Sequence, residues 1–136
     1  MMTGGCLCGA VRYEAAGEPV FAGLCHCRDC QRATGAGHAS YMGMARANVK
    51  VTGEVRTFSV TADSGKQANR QFCPICGSQI FAADGATPDI FAGTLDDPSQ
   101  FNPNAAIYVR SRPHWDMPGF RLQEYEGAPP PEAAGD

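Results

Sequence analysis

Seven cysteines, at positions 6, 8, 25, 27, 30, 73 and 76, constrain this chain more than any other feature. They fall into three local groups, Cys-x-Cys, Cys-x-Cys-x-x-Cys and Cys-x-x-Cys, and their odd number argues against a closed set of disulfides. The spacings suit a metal. Residues i and i+2 of a β-strand face one side about 6.8 Å apart at their α-carbons, and two sulfurs on one tetrahedral zinc lie about 3.8 Å apart, so side chains at that spacing can converge on an ion. Cys6 and Cys8 are expected to do so from a strand. In Cys73-Pro74-Ile75-Cys76-Gly77 the two-residue spacer curls both thiolates toward one point, and Gly77 can take a backbone that lets amides approach the sulfurs. These two pairs, from distant parts of the chain, make one complete four-thiolate site. Cys25, Cys27 and Cys30 then supply three thiolates to a second ion and leave one position open, the feature that separates catalytic from structural zinc.

Other readings of the same residues exist. Both ions could be structural, with His26, His38, His114 or Asp29 as the fourth ligand of the second. All seven thiols could be buried and metal-free, although free cysteine packs as a small hydrophobe with no preference for such clusters. Cys73 and Cys76 could form a redox dithiol, but that motif opens a helix in a βαβ unit, whereas here Gly77 follows at once between strand-like flanks.

Composition explains why the chain needs the cysteines. Its 136 residues suit one domain. Of the 43% that are apolar, 20 residues are Ala, and Leu, Ile, Val and Phe together number 22 of 136, about 16%, a thin core for an unaided fold. A net charge of -3 gives little self-repulsion to hold the chain open. The acidic balance, with a pI near 5.5, offers no basic footprint for nucleic acid. With no apolar run near membrane-spanning length and no basic-then-apolar start, the expectation is a soluble, cytoplasmic protein without a membrane partner, where thiols stay reduced.

Gly and Pro, 16 and 10 residues, cut the chain into short runs that read as strands. These runs are 8–14, 18–25, 48–60 broken at Gly53-Glu54, 71–72, 78–82, 89–95 and 106–111. One short helix is expected over Arg28 to Thr34, with Gly35 as its left-handed cap, and a helical turn at Asp96-Asp97-Pro98. The fold class is mainly β, antiparallel, with one or two helical turns. The domain is expected over 4–125, followed by a flexible tail over 126–136, where Pro, Ala and Gly dominate.

With these residues assembled, the chain resembles the glutathione-dependent formaldehyde-activating (GFA) enzyme family, which also contains centromere protein V. The resemblance rests on Gly4-Gly5-Cys6-Leu7-Cys8-Gly9-Ala10-Val11-Arg12-Tyr13, on Cys25-His26-Cys27-Arg28-Asp29-Cys30-Gln31-Arg32-Ala33-Thr34-Gly35, and on Arg70-Gln71-Phe72-Cys73-Pro74-Ile75-Cys76-Gly77-Ser78. The region from Ile107 to Trp115 looks similar to the family's closing region. The resemblance implies a zinc-binding β-tent fold with two ions per chain, a structural one on Cys6, Cys8, Cys73 and Cys76 and an active-site one on Cys25, Cys27 and Cys30. It also implies a carbon-sulfur lyase that joins glutathione and formaldehyde, reversibly, into S-hydroxymethylglutathione.

The residues themselves favour thiol addition over hydrolysis, because zinc on three thiolates is a weak Lewis acid but a soft one that suits a fourth sulfur. A thiol lost of its proton would attack an aldehyde carbonyl. The rival is a non-catalytic zinc module that binds a thiol or a protein partner. His26, between two ligands, is expected to face away from the metal, at the surface or behind the ligands. Asp29 and Arg32 belong to a solvated helix face or to thiolate and carboxylate binding, and His38 is a proton carrier or a satisfied sheet histidine. Arg70 reads as a structural partner or an anion ligand, and Trp115 as a core or lid residue. A strand-rich domain could also form a homodimer through an exposed edge.

Overall fold

The structure, a computed structural model, describes residues 1–62, 64–83, 87–117 and 121–131. Among these, ten strands form two sheets. The smaller sheet has the order β1 (Met2–Gly5), β2 (Arg12–Ala15), β5 (Val49–Thr52), all antiparallel. The larger has seven strands in the order β10 (Ala105–Ile107), β3 (Phe21–Cys25), β4 (Ala39–Gly43), β9 (Pro88–Phe91), β8 (Gln79–Ala83), β7 (Gln67–Phe72), β6 (Arg56–Thr61). Among the described residues only the β10–β3 pair is parallel. The one α-helix among the described residues, α1 (Arg28–Thr34), has the expected bounds and ends on Gly35 at φ 73°. The turn at Pro98–Gln100 is 3-10, started by Asp97, whose carboxylate accepts the Ser99 N–H.

Alternation along the strands gives the large sheet two working faces. Met42, Ile90 and Phe81 point toward the small sheet and join Met2, Val11, Tyr13, Ala15 and Leu95 in the main core. Their neighbours Tyr41, Phe91 and Ala82 point the other way, into a second cluster with Cys25, Cys30 and Ala39 under α1. Gln31 fixes the helix there, with Nε2 donating to the His26 carbonyl at 2.8 Å and the Ser111 carbonyl at 2.9 Å, and Gln79 donates to the Ala33 carbonyl at the helix's far end.

Several sequence expectations need correction. Cys6 and Cys8 are not on a strand: β1 ends at Gly5, and the two cysteines occupy a turn before β2. β1 was invisible in Met2-Thr3-Gly4-Gly5 because it forms through close approach, not β propensity. A Cβ on Gly4 would lie 2.3 Å from the Tyr13 hydroxyl and 2.4 Å from the Thr94 carbonyl oxygen. β4 was missed because it is a central strand buried on both sides and shows no alternation. The runs at 89–95 and 106–111 each end early as strands and finish in 3-10 turns, Ala92–Thr94 and Val109–Ser111, the second entered through Tyr108 at φ 54°. Trp115 does not belong to the core; it is 50% exposed. Of the segment 126–136, residues 126–131 are exposed and 132–136 lie outside the described residues.

Two predictions follow from these contacts. Gly4→Ala should destabilise the fold by about 1–3 kcal/mol, the usual cost of overpacking, seen as a lower urea midpoint at unchanged slope. On the surface, Arg12 pairs both its terminal nitrogens with the Asp96 carboxylate, and Thr3 Oγ1 donates to it at 2.7 Å. These partners hold the Asp96 carboxyl at about 2, below its ordinary 3.8. Its pairing therefore stabilises the fold above the ordinary carboxylate range and is lost as pH falls through about 2. Arg12→Ala should return the Asp96 titration midpoint, followed by carboxyl NMR, toward 3.8.

Candidate metal centres and the cleft beside them

Cys6, Cys8, Cys73 and Cys76 bring their sulfurs within 4.8 Å of one another. The turn after β1 supplies the first two and the turn between β7 and β8 the others, so the cluster joins the small sheet to the large one. The Cys6–Cys8 and Cys8–Cys73 sulfurs are 3.6 and 3.8 Å apart, the spacing of thiolates on a tetrahedral ion. Backbone amides turn inward to the sulfurs: Val11 N–H reaches Cys6 Sγ at 3.3 Å and Ile75 N–H reaches Cys73 Sγ at 3.4 Å. The Ser78 hydroxyl and N–H pull the Cys76 thiol down to about 5. Gly77, at φ 78°, makes the tight turn that places Ser78 there. This donor set fits a metal ion, with zinc compatible by ligand type. The Cys73–Cys76 turn opens no helix, which removes the structural basis for a thioredoxin-like dithiol.

The second cluster, Cys25, Cys27 and Cys30, also lies within 4.8 Å, and no histidine or carboxylate among the described residues completes it. Cys25 ends β3, Cys27 caps α1 by accepting the Cys30 N–H at 3.3 Å, and Cys30 sits one turn in. Tyr41 directs its Oη to Cys30 Sγ at 2.9 Å, and Arg70 Nη2 donates to the same sulfur at 3.8 Å. Hydrogen bonds from Cys25, Tyr41, Cys27 and Arg70 hold Cys30 as a thiolate, at about 5, against the effect of burial. Cys25, beside that thiolate and buried, is pushed up. The three sulfurs stand in the wall of an open cleft of about 160 Å³, with Asp29, Tyr41, Arg70 and Tyr108 around them.

Other sequence candidates fall elsewhere. His26 faces away from the sulfurs as expected but not to the surface: it is 2% exposed, with Nδ1 3.3 Å from both the Gly37 carbonyl and the Asp116 carboxylate. His38 shares Asp116 at 2.7 Å and lines neither this cleft nor the cysteine clusters; with His26 and Asp116 it forms a third group whose ligand atoms lie within 4.8 Å of one another. Asp29 lines the cleft, and Arg32 is exposed on the adjoining rim. Sequence reasoning missed Tyr41 and Asp116. Tyr41 is two residues beyond Ala39, the register partner of Cys25, a relation visible only once β4 is paired with β3.

The glutathione-dependent formaldehyde-activating enzyme family model matches residues 1–111. No curated protein sequence matches the chain. Among solved structures, a crystal structure of a Rhodobacter sphaeroides protein is similar, with a TM-score of 0.55 and 22% identity over 73% of this chain and 94% of that one. That likeness speaks for the fold. No helix among the described residues is long and apolar enough to cross a membrane. The family model spans most of the chain and all seven cysteines, and the chain belongs to the glutathione-dependent formaldehyde-activating enzyme family.

Proposed function

We propose that the chain catalyses the reversible addition of a small thiol, glutathione or one like it, to a small aldehyde such as formaldehyde, as a carbon-sulfur lyase. Cys6, Cys8, Cys73 and Cys76 hold a structural zinc in this reading, and Cys25, Cys27 and Cys30 a catalytic one. The observation that carries it is the contrast between the clusters: four sulfurs form a complete donor set, while three sulfurs with no fourth protein ligand among the described residues line an open cleft. Zinc, when bound at the second cluster, supplies a soft site at which a thiol is acidified.

The chain's own residues do the rest. Tyr41 and Arg70 hold Cys30 in one orientation and draw charge from its sulfur, which limits how far that thiolate quenches the ion's electrophilicity. Cys27 is fixed by its role as helix cap. Asp29, at the first turn of α1 and in the cleft wall, is placed to accept or return a proton. In the addition a sulfur–carbon bond forms, the carbonyl π bond opens, and the thiol proton ends on oxygen. Seven free cysteines fit a reducing compartment, and we place the protein in the cytoplasm on that ground.

Cobalt titration of the metal-free chain should show two ions per chain, each with sulfur-to-metal absorption, and only the bands lost in Cys27→Ser should move when glutathione is added. Saturated bands that no thiol shifts would favour a non-catalytic module. Tyr41→Phe removes the 2.9 Å contact to Cys30 and should lower metal affinity or turnover at that site by about 10–100-fold while leaving the four-cysteine site's affinity unchanged.

A further inference from the structure

Three side chains that neither cysteine cluster uses converge on one point. His26 stands just before α1 and His38 just after it, and Asp116 comes from a turn in which its N–H donates to the Pro113 carbonyl at 3.1 Å. Asp116 Oδ2 lies 3.3 Å from His26 Nδ1 and 2.7 Å from His38 Nδ1, and the two rings are 5.3 Å apart at their centroids. One ligand atom from each of the three falls within 4.8 Å of the others. Gly37 makes the room: a Cβ there would lie 2.5 Å from Asp116 Cβ, Cγ and Oδ2, so only a glycine lets the carboxylate sit against both rings.

Hydrogen bonding alone serves the buried histidine poorly. Nε2 of His26 has no partner, and its Nδ1 meets only two oxygens, Asp116 Oδ2 and the Gly37 carbonyl, both at 3.3 Å. Good N–H···O bonds centre near about 2.9–3.0 Å, and a buried polar ring so weakly held is costly. Two ligand atoms on a tetrahedral ion with bonds of about 2.0–2.1 Å lie about 3.3 Å apart, which is the 3.3 Å spacing of His26 Nδ1 and Asp116 Oδ2. His38 and Asp116 need part by only roughly 0.6 Å to match it, and both side chains are partly exposed and free to adjust. We propose that His26, His38 and Asp116 form a third metal site, for a borderline divalent transition ion of the zinc class, held by the two Nδ1 atoms and the Asp116 carboxylate. Two imidazoles and a carboxylate are a harder donor set than the thiolate clusters and suit zinc, cobalt or nickel. Water reaches His38 and Asp116 and fills the remaining coordination positions. The ion acts as a clamp: it joins both ends of α1 to the 113–116 turn and, through His26, fixes the peptide between Cys25 and Cys27. Neither histidine lines the three-sulfur cleft, so the site stands apart from the thiol-addition reading.

The test uses the full chain with zinc on its cysteines and Co²⁺ as the probe, because cobalt binds such ligands more weakly than zinc and leaves the thiolate-bound ions in place. One further Co²⁺ per chain should bind, in addition to the two ions that give sulfur-to-metal absorption. It should show weak visible bands, no sulfur-to-metal absorption, and paramagnetic broadening centred on the NMR signals of His26, His38 and Asp116. Asp116→Asn and His38→Ala, both at partly exposed positions, should each weaken this binding by at least about tenfold. With cobalt on the cysteines instead, both variants should keep their full sulfur-to-metal absorption, which separates loss of the site from loss of the fold. Excess Zn²⁺ should raise the thermal midpoint of the wild type and leave that of Asp116→Asn unchanged. No third ion, a third ion with sulfur-to-metal absorption, broadening confined to other residues, or binding undiminished in Asp116→Asn and His38→Ala overturns the site; a zinc-dependent rise shared by Asp116→Asn overturns the clamp.

Discussion

The convergence of four sulfurs from residues 6–8 and 73–76 is the constraint on which the rest depends. Cys6 and Cys73 are themselves buried members of the main core, between sheets that have few large aliphatic side chains to offer each other. The β1–β2 turn and the β7–β8 turn meet there across 65 residues of chain. A zinc ion bound on four thiolates would contribute on the order of 10–16 kcal/mol, as much as the whole net stability of an ordinary domain, about 5–15 kcal/mol. With such an ion bound, sulfur chemistry would outweigh hydrocarbon burial in setting the small sheet's position.

The large sheet then turns one set of strands to two uses. β4 sends Met42 into the core and Tyr41 to the Cys30 sulfur, and β9 sends Ile90 one way and Phe91 the other. The site is therefore the reverse side of the core, with α1 laid over it by Gln31 and Gln79. Behind the sulfurs, Asp116 packs against Gly37, where a Cβ would lie 2.5 Å from it, and takes both histidines, so the peptide that carries Cys25 and Cys27 is also pinned through His26.

What could be read from the sequence was what local chemistry decides. The bounds of α1 followed from Gly35, the 3-10 turn at Pro98 from Asp97, and the grouping of the sulfurs from spacing alone. What could not be read was decided by partners distant in the chain. Gly4 looks like a loop residue until Tyr13 and Thr94 are seen to need the space. β4 has no periodicity because both of its faces are covered, and Tyr41 becomes a site residue only through its register with β3. The reading of Cys6 and Cys8 as strand residues failed although their convergence held, since a turn brings sulfurs together as well as a pleat does.

The hairpin of β6 and β7 hangs from the sheet's edge: β6 has one neighbour, and its side chains stay mostly in solvent. Residues at Phe58 and Val60 can thus be exchanged without disturbing either sulfur cluster or the buried strands. Sequence change on that edge strand is free to accumulate while the cysteine framework is inherited intact, because the two belong to different strands.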